Sequence, residues 1–338
     1  MRNLIPALAL AAVGLIQAPA VAQEVNLYSY RQEVLIKPLL DAFTAKTRIK
    51  VNLVSGGEDA LIERLKAEGA ASPADLMITV DAGRLVRTKE LGLFQPIKSA
   101  VVEAAVPAAY RDPDGTWTAL SIRGRPIMYS VDRVKPADLS TYEDLARPKW
   151  KGKICVRSSS HIYNQSMLAT MIESVGAEKA EAWAKGVGEN LARKPQGGDR
   201  DQLKAIAVGE CDLALANTYY LAGLTQSKDP SEQDTAKKVK ILWPNQNDRG
   251  AHVNVSGIGV TKSSKNVANA VQFIEFMLSD EAQKIHAEVV GEFPIKAGIP
   301  RSEVVGSFGT FKADTVPLSV LAKNNSEAVR IFDRVGWR

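Results

Sequence analysis

The chain has 338 residues, 45% of them hydrophobic and 24% charged, with a formal net charge of +5. That is the make-up of an ordinary globular protein, and the length calls for one large or two medium domains rather than one small core. Lys and Arg are scattered, and no basic stripe interleaved with aromatics marks a nucleic-acid surface.

In chain order, Arg2 is followed by an apolar run over 4–16 and then by Ala18-Pro19-Ala20-Val21-Ala22. The pattern predicts a secretory signal peptide over 1–22, cleaved after Ala22. The run is shorter than the roughly 20 apolar residues of a spanning helix, and no later stretch reaches that length. The mature chain is therefore expected to be exported, with no stable membrane insertion.

From Val25 strand and helix patterns alternate. Strands are predicted over 25–30, 49–54 and 74–79, and amphipathic helices from Leu35 to Phe43, over 59–68 and over 82–91. Such alternation implies βαβ units and a mainly parallel sheet. Residues 117–130 then form a long strand-like run with no helix after it, read as a crossing into a second domain. Beyond it lie the segment 145–151, a strand at Ile154, and helices over 165–175, 179–193 and 200–208, the last introduced by the Gly197-Gly198 turn. A strand over 213–216 ends in Asn217-Thr218-Tyr219-Tyr220. Residues 252–260 form a second crossing, followed by a helix over 267–278 and another from Glu281. The expected division is a first lobe of 23–122 with 253–300 and a second of 123–252 with 301–338. Two crossings place a cleft between the lobes, where ligands bind and hinges close.

Cys155 and Cys211 are the two cysteines, and an even count in an exported chain predicts one disulfide. Each sits on a strand-like segment, so the bond would tie neighbouring strands of one domain.

Enzyme signatures are absent: no GxSxG elbow, no P-loop and no HExxH helix occur. His161, His252 and His286 have no metal-ligand spacing to one another. An enzyme would have to work through carboxylates or lysines.

The chemistry-bearing residues are phenols and arginines. A strand delivers the residues beyond its last position to the carboxyl edge of its sheet, where open α/β sheets bind ligands. Tyr219 and Tyr220 stand there, and Tyr163 lies in a polar loop that opens a helix of the same domain. Ordinary amphipathic packing is the alternative for all three. Three phenolates would be hard anionic ligands suited to Fe(III), which must displace their protons. Such a set leaves octahedral positions for a small bidentate anion held in a guanidinium fork. Arg31 and Gln32 come just after the first strand, and Arg123 and Arg125 lie in the first crossing. An anion receptor built on these arginines, with the tyrosines only lining the cleft, is the rival reading.

The stretches Tyr28-Ser29-Tyr30-Arg31-Gln32, Thr79-Val80-Asp81-Ala82-Gly83-Arg84-Leu85, Arg123-Gly124-Arg125, Ser158-Ser159-Ser160-His161-Ile162-Tyr163-Asn164 and Ala216-Asn217-Thr218-Tyr219-Tyr220 together resemble the periplasmic ferric-ion-binding proteins, the substrate-binding subunits of bacterial iron(III) ABC transporters. The resemblance implies a type II periplasmic-binding α/β fold, two lobes of mixed, mainly parallel sheets joined by two crossover strands, with Fe(III) between them. It implies Tyr163, Tyr219 and Tyr220 as metal ligands. Where several members place a further histidine or tyrosine this chain has Gln32 and Glu33, and where some have an acidic ligand it has Val80. The resemblance is therefore to the subgroup with tyrosines plus carbonate or a similar synergistic anion, near Arg31, Gln32 and Arg123 or Arg125. Tyr30, Glu33 and Asn217 are further candidates as extra ligands or supports. An inner-membrane ABC permease is the implied partner, the periplasm the implied location, and a monomer the expected state.

Overall fold

A computed structural model describes residues 23–57 and 59–337; the predicted signal peptide lies outside the described residues. The strands are β1 Glu24–Ser29, β2 Lys50–Ser55, β3 Leu76–Thr79, β4 Phe94–Gln95, β5 Trp117–Gly124, β6 Ile127–Ser130, β7 Ile154–Cys155, β8 Leu213–Leu215, β9 Val239–Leu242, β10 Val253–Thr261 and β11 Phe293–Pro294. The first helices are α1 Glu33–Thr47, α2 Ala60–Glu68, α3 Ala82–Glu90 and α4 Ala100–Ala105. They are followed by α5 Ile162–Val175, α6 Ala177–Glu189, α7 Asp199–Ala207, α8 Thr218–Thr225 and α9 Pro230–Lys237. The last are α10 Val267–Met277, α11 Asp280–Ile285, α12 Glu303–Ser307, α13 Val320–Lys323 and α14 Asn325–Arg334.

Two mixed sheets organise the chain, as expected of the type II periplasmic-binding fold. The first has the order β11-β5-β10-β3-β1-β2, with β4 pairing β10, and the second β7-β8-β6-β9. The parallel pairs are β1 with β2, β1 with β3, and β7 with β8. The other pairs are antiparallel, which corrects the expectation of mainly parallel sheets. The reason is the crossings: β5 and β10 lie side by side and run against each other, so they reverse the pattern in the middle of the first sheet.

The run over 117–130 is two strands rather than one. Arg125-Pro126 breaks it, since proline has no amide donor, and β5 and β6 fall in different sheets. Gly124 sits at this break, where a Cβ would come 2.6 Å from the Trp243 ring. The segment 145–151 belongs to two short 3₁₀ turns, Glu143–Ala146 and Pro148–Trp150, the second opened by a proline.

Cores form as the patterns dictate. Ile36, Leu39, Leu40 and Phe43 keep helical spacing on α1 and are all buried, each contributing about 1.5–3 kcal/mol by leaving water. β10 is buried along its whole length, as a central strand covered on both faces must be. Cys155 and Cys211 form a disulfide, with Cα atoms 5.9 Å apart. Cys211 precedes β8 rather than lying on it, yet β7 and β8 are the neighbours so tied. Among the described residues no helix is long and apolar enough to cross a membrane.

Candidate functional site: a phenol cluster facing buried arginines

Tyr163 is in the first turn of α5, which begins three residues earlier than the predicted helix. The His161 ring makes that early start possible, because its Nδ1 accepts from the Tyr163 amide at 3.3 Å and caps the helix. The rings of His161 and Tyr163 meet edge to face at 4.3 Å. Tyr219 and Tyr220 likewise open a helix: Asn217 is extended, and α8 starts at Thr218. The strand β8 stops at Leu215, so the pair sits one short link beyond the sheet edge.

The three phenols converge. The Tyr163 and Tyr219 hydroxyls share a hydrogen bond of 3.0 Å, and the Tyr219 and Tyr220 rings lie 4.3 Å apart. Burial, followed by the neighbouring Tyr163 and Tyr220, pushes the Tyr219 hydroxyl well above its ordinary range. Burial and Tyr163 also raise Tyr220, against the opposing pull of Arg157. Both phenols are thus protonated at neutral pH without a cation. Two oxygens 3.0 Å apart match the spacing of cis positions on an ion with metal–oxygen bonds of about 2.0–2.2 Å.

Guanidinium groups surround this cluster. Those of Arg123, Arg157 and Arg125 lie 5.2, 5.3 and 5.8 Å from the Tyr163 ring centre. Arg125 is spent on the protein: it donates to Asp199 at 2.7 Å, Asn164 at 2.7 Å, Asn217 at 3.0 Å and the Leu215 carbonyl at 3.2 Å. Asn217 is correspondingly a brace for Arg125 and the residue before α8. Asp199 also meets Arg157 at 3.4 Å and accepts from the Asn217 amide at 2.8 Å. Burial raises the Asp199 carboxyl, but Arg125 and Arg157 outweigh it and leave it below the usual range.

Arg123 is different. Its Nη1 reaches Ser256 Oγ at 3.4 Å, its Nη2 approaches Asp81 only to 3.9 Å, and that Nη2 is buried without a hydrogen-bond partner. Arg31, 5% exposed, donates to Ser256 and to Glu292, the latter at 2.9 Å. Ser256 therefore joins Arg31 to Arg123, and Arg123 joins the first sheet to the phenols. Gln32 is exposed and precedes α1, in whose first turn Glu33 is also exposed. Tyr30 is half-buried, with the Arg84 guanidinium 5.6 Å from its ring centre. Val80 is buried.

Several contributors escape sequence reasoning. Glu292, 1% exposed, accepts from Arg31, Ser121 and Ser256. Burial alone would raise its carboxyl; Arg31 and Arg123 hold it below the usual range. Asp81 caps α3 through the Gly83 amide at 2.8 Å and accepts from Asn254 at 2.8 Å and from Ser166 of α5 at 2.9 Å. It thereby bonds the first sheet's helix layer to the helix carrying Tyr163. Gly291, at φ +72°, allows its loop to pack on α8, where a Cβ would meet Ala222 at 2.7 Å and come within 3.8 Å of Tyr219. The only advance signal for any of these was Asp81, inside a stretch already singled out beside Val80.

Residues 71–304 match the family of bacterial extracellular solute-binding proteins. The chain belongs to that family. It is a solute-binding protein, not an enzyme. It is 49% identical over 320 residues, 95% of this chain and 89% of the other, to Iron uptake protein A1 of Synechocystis. Among solved structures it resembles the Trichodesmium protein IdiA (FutA) in complex with iron and citrate ligands, with a TM-score of 0.89, 51% identity, and coverage of 93% of this chain and 100% of that one. It also resembles the Mannheimia haemolytica ferric iron-binding protein A in an open conformation, with a TM-score of 0.86, 44% identity, and coverage of 94% and 99%.

Proposed function

We propose that this protein binds Fe(III) in the periplasm and delivers it to an inner-membrane ABC permease, holding the ion with the phenolates of Tyr163, Tyr219 and Tyr220. The observation that carries the reading is the 3.0 Å contact of the Tyr163 and Tyr219 hydroxyls, with Tyr220 packed beside them. Relatives named for iron uptake and ferric binding, at 44–51% identity over nearly the whole chain, support it. Hard, anionic oxygens suit a small highly charged cation. The ion displaces the phenolic protons, so binding weakens as acid returns them.

Three phenolates leave positions for a synergistic anion, carbonate or a relative of it. Arg31 and Arg123 are its holders, with Gln32 at the rim. Arg125, whose donors go to Asp199, Asn164, Asn217 and Leu215, braces the phenols instead. The disposition of Arg31 and Arg123 on the first sheet and the tyrosines on the second lobe makes closure the step that completes the shell and excludes water, strengthening every charged contact. Purified protein treated with Fe(III) citrate develops a visible phenolate-to-iron charge-transfer band on this reading. A protein that stays colourless rules it out.

A further inference from the structure

Arg31 is not simply an open anion fork. Its Nη2 is committed to Glu292 at 2.9 Å and to Ser256, while its Nε and Nη1 make no hydrogen bond to protein among the described residues. Glu292 is anchored from three sides, by Arg31, by Ser121 on β5 and by Ser256 on β10. Guanidinium and carboxylate are both almost wholly buried. A buried pair of this kind is costly to form and is weak evidence for a purely stabilising role. Its effect on a neighbouring ligand is direct, since a fixed carboxylate cancels much of the positive potential that the guanidinium offers.

We infer that Glu292 is a specificity-determining counter-charge for the anion site: it points Arg31 so that only the Nε/Nη1 edge is offered, and it weakens the anion's hold enough to let it exchange. The Ser256 hydroxyl, shared by Arg31, Arg123 and Glu292, extends the same restraint to Arg123. The ligand class is a small bidentate oxyanion that fits one guanidinium edge. A larger polycarboxylate would need the Nη2 corner that Glu292 already fills. This inference rests on the anion-binding reading of the cleft.

The test uses the full mature protein loaded with Fe(III) in bicarbonate-free buffer, with bicarbonate titrated while the charge-transfer band is followed. Glu292→Gln keeps an acceptor for Arg31 and deletes the charge; its bicarbonate midpoint falls about tenfold below that of the unmodified protein, and Glu292→Asp restores a midpoint within about twofold. An unchanged midpoint in Glu292→Gln, in a protein whose band does respond to bicarbonate, overturns the inference while leaving the anion reading intact. A band indifferent to bicarbonate in the unmodified protein overturns both. Where Glu292→Gln does not fold, the pair Arg31→Gln and Arg31→Gln/Glu292→Gln decides. The single variant strands a bare carboxylate and binds bicarbonate about tenfold more weakly than the double; equal midpoints overturn the inference.

Discussion

The two walls of the cleft are built on different plans. On the second-lobe wall, three phenols stand in the first turns of α5 and α8, Tyr163 buried and the other two half-buried, close enough to bond or pack on one another. Their support is a rigid polar frame of Arg125, Asp199, Asn164 and Asn217 beneath them. On the first-lobe wall, charge is balanced pair by pair, Arg31 against Glu292 and Arg123 loosely against Asp81. One wall thus holds neutral phenols, the groups proposed to become anionic when a cation binds, and the other holds cations already matched by carboxylates. On the proposed reading, the three phenolates balance the charge of a trivalent ion within the second-lobe wall itself.

Breaking the frame under the phenols has the largest expected effect. Arg125→Ala leaves Asp199 buried without its shortest partner and costs about 3–5 kcal/mol, read as a lowered midpoint in urea unfolding. A change below about 1 kcal/mol would mean that the frame is incidental. Tyr163→Phe keeps the ring among its three guanidinium neighbours and removes one ligand oxygen. Iron affinity then falls at least about a hundredfold, beyond the roughly 10–100-fold typical of groups outside the coordination shell, in a competition titration against citrate.

Acid sharpens the comparison. Burial, together with Arg125 and Arg123, lowers His252 to about 3, and burial with Arg31 lowers His286 to about 4. Both are therefore neutral when folded, whereas the unfolded chain takes up their protons below about pH 6.5. Stability is accordingly full above about pH 6.5 and falls as pH drops from there toward 4, by about 2 kcal/mol per histidine at pH 5. His252→Gln or His286→Gln flattens that slope in denaturation measured from about pH 7 to about pH 5. Smallest is the anion term: Arg31→Gln raises the bicarbonate requirement about tenfold while the phenolate band survives. Loss of the band at saturating bicarbonate would make Arg31 a structural requirement of the phenol cluster rather than a holder of the anion.

The second-lobe wall was far more legible in the sequence than the first, for a physical reason. Tyr219 and Tyr220 are adjacent, and Tyr163 sits in a loop pattern leading into a helix, so local chain direction aims them at one edge. The first-lobe wall joins Arg31, Ser121, Ser256 and Glu292, residues from the end of β1, from β5, from β10 and from the loop before β11 that meet only because the two crossings lie side by side. No local periodicity reports such a meeting. Where pattern and structure part, short-range chemistry prevails: Pro126 splits the long strand, and the His161 cap draws Tyr163 into α5. Arg125 looked like Arg123 in Arg123-Gly124-Arg125, yet the break between β5 and β6 sends it into the frame of the other wall.

Phenolate oxygens as the holders of the iron are the centre of the account. The most direct test is the double variant Tyr219→Phe/Tyr220→Phe, exposed to Fe(III) citrate, desalted, and assayed for bound iron and for the visible band. The expected result is a protein folded by circular dichroism with neither iron nor colour. Stoichiometric iron retained by that variant would contradict it.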